Sequence, residues 1–354
     1  MDMPDPALSA SAAGSFRRIR THAWLRSGGP GGLLALLLLL CAGFSIALPD
    51  RFPTWQTVES ILLQVPELGL LALAMLLPLI SGGINLAIIA STNMAALAMA
   101  WVLTGGLGDF GGQVGLAIAV AMLLGGLLCL VVGVLSGWLV ANMQAHPILV
   151  TLGTMSLVNG VCVWLTRGKP IAGFPEEFQM IGSLAFFGIP LPFWIFMGAS
   201  VLLAIYLGRT RYGLAVYMLG SNLEATRYCG VNTRHVLIGV YTLSTLLCWI
   251  AAILMMARFN SASAGYAQSY LLVTVLAAVL GGVDPFGGFG KVSGLFVALL
   301  VLQVISSGVN LLGVNAQLTQ AMWGATMVGV MAVRYLAERR REQRAPAPDT
   351  APAD

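Results

Sequence analysis

Few residues in this sequence are equipped for chemistry, and their spacing restricts what that chemistry is. His22, His146 and His235 lie far apart, and no His, Cys, Asp or Glu spacing resembles a metal site or a catalytic triad. We therefore expect no catalytic residue, no metal and no cofactor on this chain. The run Gly287-Gly288-Phe289-Gly290-Lys291 invites comparison with a phosphate-binding loop, which needs G-x-x-x-x-G-K-[ST]. Pro285 occupies the first glycine position and Val292 the Ser/Thr position, so the metal-binding hydroxyl is missing and nucleotide binding is rejected. Of the five cysteines, Cys41, Cys129, Cys162 and Cys248 sit in apolar runs and Cys229 does not; all read as free thiols. Glu67, beside Pro66, is a carboxylate within an apolar run, a functional candidate by default. The plainer reading, preferred here, keeps it hydrated near the outer membrane interface. Asn85, Asn159 and Asn310 are polar groups at or near apolar runs, each more simply a hydrogen-bonding partner for a neighbouring helix than a solute contact.

Two glycine-interrupted stretches are better signals. Ile80-Ser81-Gly82-Gly83-Ile84-Asn85 follows one apolar run, and Leu280-Gly281-Gly282-Val283-Asp284-Pro285 follows another. Matching breaks in two halves of a membrane protein point to a transport path, because freed backbone groups are tolerated only where protein or water satisfies them. Glu67, Gly82, Gly83, Asn85, Gly281, Gly282 and Asn310 are the candidate path residues; tight turns between spans are a compatible alternative. The segment 209–235 reads RTRYGLAVYMLGSNLEATRYCGVNTRH. Ser221 and Glu224 have capping-box spacing, which predicts a helix starting at Asn222 and stopped by Gly230. Such a helix, about two turns over 222–229, is too short to stand alone. It needs something to dock on, and an exposed mix of Glu224 and Arg227 with Leu223 and Tyr228 suits a protein partner. A surface loop turn is the alternative.

The elements that position these residues are membrane spans. The 354 residues are 58% hydrophobic and 9% charged with mean hydropathy +0.87, whereas a soluble domain carries about 25% charged residues. Spans are predicted near 31–48, 58–80, 84–104, 114–138, 148–166, 190–208, 236–256, 269–283, 292–309 and 318–336. The fold class is all-α: a polytopic membrane protein of about ten helices in two pseudo-repeated halves with broken helices. Gly133 and Gly137 make a GxxxG pair, read as helix packing. Ten spans place both termini on one side. That side then holds fourteen of the eighteen Lys and Arg residues, including Arg17, Arg18, Arg20, Arg26, Arg209, Arg211, Arg227, Arg234 and Lys291; the other holds Arg51, Arg167, Lys169 and Arg258. The positive-inside rule makes the crowded side cytoplasmic. The organisation is thus a cytoplasmic tail at 1–30, a transmembrane domain at 31–336 with an inner loop at 209–235, and a disordered Ala/Pro/Asp-rich cytoplasmic tail at 337–354. The first apolar run lacks an A-x-A cleavage site and is expected to remain as a span. The positive net charge reflects topology, and no nucleic-acid partner is expected.

Four ordered blocks carry a resemblance. They are LLPLISGGINLAIIASTNMAALA at 76–98, HPILVTLGTMSLVNGVCVWLTRGKPI at 146–171, YMLGSNLEATRYCGVNTRHV at 217–236, and AVLGGVDPFGGFGKVSG with VISSGVNLLGV within 278–314. Together they resemble permeases of ribose/xylose-type ABC importers, binding-protein-dependent systems of the bacterial inner membrane. The resemblance implies a permease subunit for a sugar or related polyol, paired with a second permease subunit in a homo- or heterodimer. It implies a cytoplasmic ATPase subunit that carries the ATP and Mg, and a periplasmic solute-binding protein. It makes the short inner helix a coupling helix in a cleft of the ATPase. Gly220, Ser221, Asn222, Glu224, Ala225, Arg227 and Gly230 would be the coupling residues, with Glu224 as polar anchor. Family members usually carry Asp where Asn85 stands; a neutral Asn keeps hydrogen bonding and loses charge, which fits either a distinct solute or one half of a heteromeric pair. The rival class is an ion-coupled secondary transporter of a small polar solute, which leaves the capped inner helix unexplained.

Overall fold

The computed structural model describes residues 30–108, 113–143, 145–315 and 317–325, with positions 328 and 332. Residues 1–29 of the predicted N-terminal tail, the predicted tail at 337–354, and much of the tenth span lie outside the described residues. The apolar runs fold as helices close to their expected limits: α1 Pro30–Ala47, α2 Trp55–Ile80, α3 Ile88–Leu103, α4 Val114–Met143, α5 Pro147–Thr166, α6 Glu176–Ser183, α7 Leu191–Arg209, α8 Arg211–Ser221, α9 Leu223–Tyr228, α10 Thr233–Phe259, α11 Tyr270–Leu280 and α12 Val292–Leu311. Residues 317–325 are helical as well. The described strands are two-residue pieces: β1 (Ile171–Ala172) pairs antiparallel with β4 (Ser261–Ala262), and β2 (Ala185–Phe186) with β3 (Ile189–Pro190).

Helices α2, α4, α5, α7, α10 and α12 are long and apolar enough to cross a membrane; α1, α3 and α11 are shorter apolar helices. The 26 residues of α2 reach about 39 Å, more than the roughly 30 Å hydrocarbon core. The 11 residues of α11 reach only about 16 Å, so by itself the helix crosses about half of that core. The two short helices adjoin the two glycine breaks, α3 after one and α11 before the other. Helix α2 is central, packed on α7, α10, α11 and α12; from Val65 to Ile80 every residue is buried. A second apolar cluster joins α3 and α4 to α10. There the GxxxG pair acts as expected. A Cβ on Gly133 would lie 2.7 Å from the Thr242 Cα, and one on Gly137 would lie 2.7 Å from the Ile238 Cα, so α4 and α10 meet backbone to backbone.

Candidate coupling junction and polar lane

The segment 209–235 is less loop than expected. It holds two helices, α8 and α9, and Ser221 ends the first instead of capping the second. The cap of α9 is Asn222, whose Oδ1 accepts from the Ala225 N–H at 3.0 Å. This corrects the Ser221–Glu224 capping box: Ser221 is held helical by α8, which leaves its neighbour in the extended cap conformation (φ −160°, ψ 108°). The helix runs Leu223–Tyr228, one residue shorter at each end than predicted. Gly230 stops it with φ +78°. Thr226 is buried and its hydroxyl donates to Asn222 O at 2.7 Å. Glu224 and Arg227 pair across 3.6 Å on the exposed face, with Leu223 and Tyr228 also exposed. An exposed i,i+3 pair stabilises a helix by only roughly 0.2–0.5 kcal/mol, so this face is not explained by stability.

Gly220, at the end of α8, lies where both glycine breaks converge. Gly288 donates its N–H to Ile80 O at 2.9 Å, which ties the second break to the first. A Cβ on Gly220 would strike Ile80 O and lie 2.5 Å from Gly288 N; one on Gly287 (φ +97°) would lie 2.7 Å from the Gly82 Cα. Three backbones therefore touch with no room for a side chain. One helical turn earlier on α8, the Tyr217 hydroxyl donates to Gly290 O at 2.7 Å, and burial pushes its phenol pKa up. A cavity of ≈ 620 Å³ opens beside this junction, between the end of α7, Tyr217, the loop 288–291 and the start of α12.

The two breaks share one geometry, shifted from the sequence pairing. Helix α2 ends with Ser81 N–H to Leu77 O, Gly82 N–H to Leu79 O and Gly83 N–H to Pro78 O; α11 ends with Gly281, Gly282 and Val283 bonded to Ala277, Val279 and Ala278. The left-handed residues are Gly82 (φ +82°) and Gly282 (φ +87°). The equivalent of Gly82 is thus Gly282, one residue later than the motifs suggest, because the second break has one residue fewer before its Asp. Asn85 and Asp284 nevertheless match: each accepts through Oδ1 from the N–H two residues on, Ala87 at 3.1 Å and Phe286 at 2.9 Å. Asn85 is fully buried and also donates to Ser244 Oγ at 3.0 Å, the helix-to-helix bond expected of it.

Glu67 is not at a wet interface. It is buried, and its Oε1 accepts from Arg258 Nη1 at 2.9 Å; the same nitrogen donates to Leu63 O at 3.4 Å. The partner lies 191 positions away on α10, a tertiary contact that no local pattern announces. One turn further out, Gln64, Ser60 and Gln56 follow at spacings of four along α2, facing Gln303, Ser306, Ser307 and Asn310 of α12. Gln303 Nε2 donates to Gln64 Oε1 at 2.9 Å, and Gln64 Nε2 donates to Ser60 Oγ at 2.8 Å. These two stripes form a polar lane of two cavities that share Gln64, ≈ 360 Å³ toward Asp50 and Arg51 and ≈ 260 Å³ toward Tyr270 and Trp323. Asn310 lies in the former; the glutamines were missed in the sequence, although their helical spacing was visible. Asn159 borders a separate cavity of ≈ 250 Å³ with Asn93. Asn93 donates to Ala264 O (2.8 Å) and Tyr266 O (2.9 Å), and so satisfies the non-helical backbone ahead of α11. The seven path candidates thus divide: the glycines sit at or beside the junction, Asn85 in a buried turn, Asn310 in the lane, and Glu67 beneath it. No cluster of metal-ligating side chains occurs among the described residues.

Comparison with known proteins agrees with this architecture. Residues 57–331 match the family described as "Branched-chain amino acid transport system / permease component". The chain is 34% identical over 310 residues to the ribose import permease protein RbsC of Escherichia coli K12, covering 85% of this chain and 91% of that one. It is 27% identical over 328 residues to the autoinducer 2 import system permease protein LsrD of Salmonella typhi, covering 90% and 95%. No solved structure matches. The family model spans most of the chain and the ribose permease is matched along nearly its full length, so the chain belongs to the branched-chain amino acid transport system permease component family.

Proposed function

We propose that this chain is the membrane subunit of an ATP-driven importer for a sugar or related polyol. It forms the translocation path, and a separate ATPase subunit supplies the energy. The observation that carries the reading is the junction of Gly82, Gly220 and Gly287, where the α8–α9 segment bears on both broken helices. A push on α9 is relayed through Gly220 to Ile80 O and Gly288, and so moves the ends of α2 and α11 together. That is a mechanical basis for alternating access, and the ≈ 620 Å³ cavity gives the glycine loop space to move. Glu224 and Arg227 present the polar contacts to the ATPase, which holds ATP and Mg. A second permease subunit and a periplasmic binding protein complete the assembly, in a bacterial inner membrane with both termini cytoplasmic. The ribose and autoinducer 2 relatives support a small polyhydroxylated solute.

Ion coupling is the weaker alternative. Glu67 is the buried carboxylate among the described residues, and it is held by Arg258. The decisive test replaces Glu224 and Arg227 together by alanine. The variant is expected to insert normally, to lose co-purification with the ATPase, and to lose uptake. Normal ATPase binding and stimulation would sink the coupling role.

A further inference from the structure

The inner cavity of the polar lane has a composition that helix packing does not require. Gln64 and Gln303 on α2 and α12 meet Gln317 and Gln320 on the helical stretch 317–325, with Tyr270 and Trp323 on its walls. Polar side chains inside a membrane bundle are expensive and tend to mark a solute path. Two of them are oriented: Gln303 is only 5% exposed and fixed on Gln64, which is itself fixed on Ser60, whereas Gln317 and Gln320 are exposed. None of the residues lining this cavity carries a charge. Beyond it along α2, the wall is apolar and fully buried from Leu70 to Leu77, so the lane ends before the glycine junction.

We propose that this ≈ 260 Å³ cavity holds the solute in transit, a neutral polyhydroxylated ring bound by the four glutamine carboxamides and stacked on Trp323 and Tyr270. The proposal rests on the importer reading above and deepens it by naming the solute-contact residues. A carboxamide both donates and accepts, as a hydroxyl does, so vicinal hydroxyls and glutamines satisfy each other pair by pair. An aromatic face, negative at its centre, suits the C–H-lined face of a sugar ring. The absence of charge on the walls disfavours an anionic or cationic solute, whose desolvation would go uncompensated. The cavity is slightly below the usual small-molecule range of about 300–1,000 Å³, which favours a solute of one ring.

The test uses the full transporter, with ATPase and binding protein, in proteoliposomes. Uptake of radiolabelled D-ribose, D-xylose and myo-inositol is measured alongside ATPase stimulation by loaded binding protein. Gln303→Leu and Trp323→Ala are expected to lower uptake of the transported sugar at least tenfold while ATPase stimulation stays within twofold. Trp323→Phe, which keeps an aromatic face, should retain more than a third of the uptake. Gln303→Glu, nearly isosteric, should impair uptake without loss of assembly. Unchanged uptake in Gln303→Leu and Trp323→Ala overturns the proposal and leaves the importer reading intact. So does a joint fall of uptake and ATPase stimulation in Gln303→Glu, because that is a folding or coupling defect. A wild-type assembly that moves none of the three solutes refutes the sugar reading itself, and this proposal with it.

Discussion

Gly220→Ala is the sharpest perturbation of the coupling junction. The added Cβ would lie 2.5 Å from Gly288 N and closer still to Ile80 O, and real Cβ contacts essentially never fall below 3.0 Å. Both neighbours are backbone, so no side chain can rotate away; the Gly288 side must open by about 0.5 Å to reach 3.0 Å, and the Ile80 side by more. Overpacking of this kind costs about 1–3 kcal/mol, and loss of the Gly288–Ile80 hydrogen bond a further ~0.5–1.5 kcal/mol. If that penalty falls on the conformation in which the three backbones touch, a difference above about 1.4 kcal/mol depletes it more than tenfold. The assay is solute uptake per ATP hydrolysed in proteoliposomes containing the whole transporter. Uptake per ATP is expected to fall at least tenfold while the ATPase still co-purifies, because the exposed face of α9 is untouched. Gly198→Ala is the matched control: nothing lies within 4 Å of its Cβ on α7, and alanine there should be neutral or stabilising by up to ~1 kcal/mol. Wild-type uptake per ATP in Gly220→Ala refutes the relay.

Three further outcomes follow from the same geometry. Asn222→Ala should remove about 1 kcal/mol of N-cap stabilisation from α9 and weaken ATPase association, whereas Ser221→Ala should do neither; co-purification at graded salt separates them. Arg258→Met leaves the Glu67 carboxylate buried and unpaired and should destabilise the chain by roughly 3–5 kcal/mol. Adding Glu67→Gln to it should restore most of the detergent-solubilised melting temperature, and equal melting of the single variant and wild type would contradict the pair. Asn85→Asp should destabilise by about 1–3 kcal/mol, because the Ser244 hydroxyl already donates to Ala74 O at 2.7 Å and has no proton left for a carboxylate. A melting temperature at or above wild type would show that Ser244 turns freely.

The spans were legible because lipid imposes long apolar runs, and α5, for example, begins one residue from its expected start and ends at the expected residue. The short helix α9 was legible too, apart from its cap. Ser221 and Asn222 are both good capping residues, and only the preceding helix α8 decides between them. The breaks were visible as Gly-Gly pairs, but their one-residue offset was not, since it depends on which carbonyl each N–H reaches. What the sequence hid was tertiary. Nothing near Glu67 reveals Arg258, and nothing near Gly220 reveals that Ile80 and Gly288 come to meet it. Asn85 was grouped with the path residues on its motif, yet its side chain spends its bonds inside the fold.

Whether a partner's ATP drives this permease through α8 and α9 is decided by uptake into proteoliposomes with the energy source varied. Uptake is expected only when the ATPase, ATP and loaded binding protein are all present, with no dependence on an imposed H⁺ or Na⁺ gradient. Uptake by this chain alone, driven by such a gradient without ATP, would contradict ATP drive.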